Sequence, residues 1–76
     1  MRTLNTIAQE ISADWGDKIS PYAVPYLEAM SDLQSVSDNF YAESGRSVVA
    51  YFLANAQTWR GEKAREIKKE LNLMIK

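Results

Sequence analysis

The sequence predicts an all-α fold, a compact bundle of three to four helices with a central apolar helix at about residues 45–57. Three observations carry that expectation. Apolar residues recur at spacings of three and four in the first and last segments. The most apolar run, residues 48–56, is alanine-rich and too long for a typical strand. Serine, glycine and proline stand at the joints between these stretches. With 76 residues, 46% of them hydrophobic, the chain has material for one modest core and reads as a single domain, residues 1–76.

In the first segment Leu4, Ile7, Ala8, Ile11 and Trp15 fall on one side of a helix and Glu10 and Asp14 on the other. Thr3 is placed to cap it and Gly16 to end it, so a helix is expected over about residues 3–15. Ser20–Pro21 is a strong start signal: a serine oxygen accepts from free backbone N–H groups, and proline suits a first helical position, where its missing donor is idle. Pro25 follows four residues later and would disturb a helix already under way, so the second helix starts at one proline or the other. Its inward stripe is Tyr22, Tyr26 or Leu27, Met30 and Leu33, and it ends near Leu33 or Gln34. Residues 35–45 are rich in turn formers and lack periodicity, which predicts a loop with at most one helical turn, held to the core by Phe40 and Tyr41.

Ser44–Gly45 opens the run Val48–Ala56, apolar almost all round, which predicts a helix covered on several sides. Ala50, Ala54 and Ala56 would let neighbouring helices come close. Thr58 is a candidate cap for the last helix, expected over about residues 60–75, with Ala64, Ile67, Leu71 and Met74 or Ile75 as its seam. The outer side mixes signs at helical spacing, with Glu62, Glu66 and Glu70 among Arg65 and Lys69, and reads as a solvated face.

Cysteine and histidine are both absent, which removes disulfides, thiolate and imidazole metal ligands, cysteine nucleophiles and histidine bases together. The chain contains no glycine-rich phosphate loop and no GxSxG. Carboxylate pairs such as Asp14/Asp17 and Glu62/Glu66 sit on surfaces where such groups serve solubility rather than catalysis. The expectation is therefore no enzyme and no cofactor. Met1–Arg2–Thr3 leads into an amphipathic stretch, and no apolar run approaches the roughly 18 residues of a membrane span, so neither a signal peptide nor membrane association is expected.

The net charge of −1 hides a division. Residues 1–45 carry seven acidic groups against two basic ones, and residues 46–76 carry seven basic against three acidic. That asymmetry supports two readings: an anionic partner for the basic end, or acidic and basic helices facing each other's fields within one fold. A nucleic-acid-associated regulator using the basic last helix is the alternative function. The interleaved glutamates, the pI near 5.3 and the loose fit of the Asn55–Gly61 junction to a helix-turn-helix disfavour it. Two tryptophans and four tyrosines are many for so small a core. They read either as core filling with polar tips at the margin or as a protein-binding hot spot. Trp59 beside Arg60, at a helix junction, is the strongest candidate for the second reading.

The stretch Ser44-Gly45-Arg46-Ser47-Val48-Val49-Ala50-Tyr51-Phe52-Leu53-Ala54-Asn55-Ala56-Gln57-Thr58-Trp59-Arg60-Gly61-Glu62, continuing into Lys63-Ala64-Arg65-Glu66-Ile67-Lys68, resembles a family of small uncharacterised proteins encoded by bacteriophages and prophages of Gram-positive bacteria. Ser20-Pro21-Tyr22-Ala23 and Pro25-Tyr26-Leu27 resemble its earlier segment. The resemblance implies a phage or prophage origin and the cytoplasm of the host cell, and it implies no activity. It also points to Arg46, Trp59, Arg60 and Gly61 as members of a recurrent string. From their chemistry, Arg46 is suited to bond helix ends, and Gly61 to serve close packing or a tight junction. Together these readings lead to a small, non-catalytic protein-interaction module whose partner is a host or phage protein, with Arg46, Trp59, Arg60 and Lys63 as its contact residues. A monomer is expected, with a weak dimer as the alternative.

Overall fold

Thr3 begins the first helix as its sequence suggests: its Oγ accepts from the Thr6 N–H at 3.2 Å. Helix α1 spans Leu4–Trp15 in the computed structural model, which describes residues 2–40 and 43–76, with side chains described outside residues 39–43. Gly16 stops it with φ 61°, a left-handed conformation costly for residues with a Cβ, and its N–H donates to the Ser12 carbonyl. One 3₁₀ turn, Gly16–Lys18, leads away.

The two prolines resolve in favour of the second. Residues 21–23 form a turn in which Ser20 Oγ accepts from the Tyr22 N–H at 3.3 Å, and α2 runs Val24–Ser31 with Pro25 in its first turn. Leu27 and Met30, followed by Leu33, face inward as expected. Tyr22 does not. Lying before the helix, it is out of phase with the buried stripe and remains 74% exposed.

Residues 35–40 and 43–45 hold more structure than a loop. Asp38 Oδ2 accepts from the Gln34 and Ser35 N–H groups at 3.1 and 3.2 Å, and β1 (Asn39–Phe40) pairs antiparallel with β2 (Glu43–Ser44). Val36 and Asp38 carbonyls accept from the Arg46 and Gly45 N–H groups at 3.0 and 2.6 Å, which docks the segment against the start of the next helix. The expectation that Phe40 and Tyr41 hold this segment lies outside the described side chains.

Helix α3, Gly45–Ala54, is capped by Ser44 Oγ accepting from the Ser47 N–H at 3.1 Å. Its Val48, Val49 and Phe52 are buried, whereas Ala50, Tyr51 and Ala54 lie on an open side. The apolar run is thus covered by several neighbouring elements along one flank and open along the other. Helix α4 spans Glu62–Met74, and its cap is Gly61, at φ 115° and ψ 178°, not Thr58. Ala64, Ile67, Leu71 and Met74 form its buried seam, with Ile75 half-buried at the edge.

The all-helical bundle closes with α1 and α3 each packing on both α2 and α4, within a body of 29 × 24 × 19 Å. Its core draws on every helix: Leu4, Ile7 and Ile11 from α1, Met30 from α2, Val49 and Phe52 from α3, Ile67 and Leu71 from α4. Burial of side chains this size stabilises by about 1.5–3 kcal/mol each, the main force against chain entropy. Polar ties set the relative positions of the elements. Asn5 Nδ2 donates to the Ser31 carbonyl at 2.5 Å, and the Leu4 N–H donates to the Gln34 carbonyl at 2.9 Å, so the end of α2 is fixed to the start of α1.

Candidate functional site

The junction between α3 and α4 was the place where sequence pointed to a binding aromatic, and there the structure builds interior. Trp59 is 2% exposed and Trp15 6%. Their rings stack at a centroid distance of 5.7 Å and an angle of 18°, and Phe52 meets both edge-on at 6.2 and 6.4 Å. Geometries of this kind add about 0.5–1.5 kcal/mol per pair beyond burial. The polar tip of Trp59 is satisfied, Nε1 donating to Asp14 Oδ2 at 2.9 Å. Lys68 Nζ donates to the Trp59 carbonyl at 2.6 Å and lies 5.8 Å from its ring centroid. Burial, helped by the positive charge of Arg60, pushes the Lys68 ammonium below the usual lysine range. Trp59 is therefore a core residue, which corrects its assignment as a partner contact.

Two of the other expected contact residues are engaged within the fold. Arg46 Nη1 donates to the Ile75 carbonyl at 2.7 Å, so it bonds the end of α4 as its chemistry suggested. Lys63 Nζ lies 3.1 Å from Glu10 Oε1. Glu10 also meets Arg2, which grips Glu70 with both Nε and Nη2 at 3.2 and 2.6 Å. This network joins the segment before α1, α1 itself and α4. The bond from Lys63, with the charge of Arg2, holds the Glu10 carboxyl below its usual range, and the grip on Glu70 holds the Arg2 guanidinium above its own. Arg60 is exposed, and it lines a groove of about 310 Å³ with Asp14, Lys18 and Thr58 over the edges of the two tryptophans.

The aromatic surface lies elsewhere. Tyr51 on α3 is 50% exposed, and its ring lies 5.5 Å from that of half-buried Tyr26 on α2. Tyr22 adjoins the same region: with Ser20, Ala54, Asn55, Gln57 and Thr58 it lines a groove of about 190 Å³ between the turn before α2 and the end of α3. Ala50 and Ala54 are exposed on α3 beside Tyr51. The α2–α3 face thus offers phenol rings, methyl groups and neutral amides. Such a surface suits contact with another protein, because amphipathic rings bury large area while their hydroxyls remain bonded to water. A signal for it was present in the sequence: bulky Val48, Val49 and Phe52 mark one side of α3, which leaves Tyr51 with the small alanines on the other.

Among the described residues no group of three or more carboxylates is placed to hold a metal ion, and no helix is long and apolar enough to cross a membrane. Comparison with family models, curated proteins and solved structures finds no match to this chain.

Proposed function

We propose that the protein is a non-catalytic protein-interaction module that binds through the α2–α3 face, of the kind encoded by bacteriophages and prophages. The observation that carries this reading is the placement of Tyr22, Tyr26 and Tyr51 with Ala50 and Ala54 on one outer surface, while both tryptophans fill the core. Tyrosine is enriched where proteins recognise each other, and it contributes contact area at low rotamer cost. The alternative reading, a nucleic-acid regulator using α4, has less support. Arg2, Arg46, Lys63 and Lys68 are each bonded to protein groups, and Glu62 and Glu66 stand exposed beside Arg65 and Lys69.

Affinity capture with two baits tests the proposal: the wild-type chain, and a Tyr22→Glu/Tyr51→Glu variant shown to be folded by circular dichroism. Proteins retained by the wild type and lost by the variant are the expected result. Equal retention by both baits removes the α2–α3 face from the reading. Binding to DNA that weakens steeply with salt would favour the alternative.

A further inference from the structure

We infer that the occupant of the α2–α3 face is a second copy of this chain, paired antiparallel along the open side of α3 about a twofold axis. The inference rests on the reading of that face as the binding surface, and it is charge that selects the occupant. A quarter of the chain is charged, yet residues 47–59 carry no charge at all. In a twofold interface each patch meets its own copy, so any net charge on it is opposed by the same charge. The exposed charges of the first half, Asp14, Asp17, Glu28, Asp32 and Asp38 against Lys18, would oppose acid to acid. Ala50, Tyr51 and Ala54 bring no charge to the contact, and Arg46, one turn before Ala50 on the same helix, is turned to the Ile75 carbonyl.

Shape and size agree with this pairing. Ala50 and Ala54 stand four residues apart on one side of α3, where short side chains let two helix axes approach to about 8 Å, the close end of the packing range. Tyr51 and Tyr22 then flank the contact. Centred between Ala50 and Ala54, an antiparallel pair sets the two Arg46 residues roughly 18 Å apart at about 1.5 Å per residue, beyond the screening length of physiological salt. A weak specific dimer buries about 600 Å² per copy, which is about an eighth of the 4900 Å² surface.

Sedimentation equilibrium from micromolar to millimolar chain, at low and high salt, tests the pairing. The wild type should rise from 8.6 kDa towards twice that mass, equally at both salt concentrations. The folded Ala50→Glu variant should dissociate at least about tenfold more readily, since its two carboxylates meet across the axis. The chain has no cysteine, so an Ala54→Cys variant gives a second readout: oxidation should cross-link it into dimers faster than a Lys69→Cys control on α4. A mass of 8.6 kDa throughout overturns the pairing while leaving the capture experiment to judge the face itself. Association that salt weakens, unimpeded assembly of Ala50→Glu, or equal cross-linking of the two cysteine variants each overturns it as well.

Discussion

Trp59 shows how a single residue's role turns on its surroundings. Its ring packs against Trp15 and Phe52 with Lys68 of α4 beside it, and its N–H finds Asp14. Trp59→Ala should therefore cost about 3–5 kcal/mol in urea unfolding, as deletion of a buried tryptophan leaves a cavity in the core. A loss below about 1 kcal/mol would show the ring to be peripheral. Glycines separate two other kinds of constraint. A Cβ at Gly45 would stand 2.7 Å from the Ser35 carbonyl oxygen and 3.0 Å from Val36 Cα, both backbone atoms that yield little. A Cβ at Gly61 would meet nothing within 4 Å beyond its chain neighbours, but φ 115° with ψ 178° is a region that side chains disfavour. Gly45→Ala and Gly61→Ala should each cost about 1–3 kcal/mol, the first by steric overlap and the second by backbone strain. The expectation of either close packing or a tight junction at Gly61 is thus met by its conformation, and the close approach is found at Gly45 instead.

At the level of elements, legibility followed the strength of the amphipathic phase. Helices α1 and α4 set apolar against polar or charged residues so regularly that their seams, Leu4–Ile7–Ile11–Trp15 and Ala64–Ile67–Leu71, could be read directly. The second helix was ambiguous because two prolines offered two starts, and the later one moved Tyr22 from the stripe to the surface. The third was read as apolar all round because alanine counts as apolar without needing burial. The β1–β2 pair had no readable signal, since two-residue strands are too short for a period and are set by the backbone bonds of Val36 and Asp38. One element-level tie is directly testable. Arg46 bonds the last turn of α4, where a cation also meets the negative end of the helix dipole. Arg46→Gln should lower stability by about 0.5–1.5 kcal/mol and speed amide exchange at the end of α4 more than at its start. Uniform exchange along α4 in the variant would contradict a local role.

Across the whole molecule, one network joins the two halves of the chain: Glu10 of the acidic first half meets Lys63 of the basic second, and Arg2 of the first reaches Glu70 of the second in the opposite sense. Contacts separated by as many as 68 positions cannot be read from spacing, and for that reason Lys63 resembled a free contact residue in the sequence. The network makes stability depend on pH with a definite sign. Because the fold holds the Glu10 carboxyl below its usual value, its contribution is present above the ordinary carboxylate range and disappears as pH falls through the lowered value. Urea melts should accordingly find wild type more stable than Glu10→Gln at neutral pH, with the gap closing in acid; a gap unchanged by pH would refute this account of Glu10. The two tryptophans form interior, whereas Tyr22 and Tyr51 stand exposed on the face that we propose is offered to a partner. Photochemically induced nuclear polarisation, which marks only rings that an external dye can reach, tests that division in one spectrum of the native protein. Enhanced signals from Tyr22 and Tyr51, with none from Trp15 or Trp59, are the expected result, whereas polarised tryptophans beside silent tyrosines would contradict it.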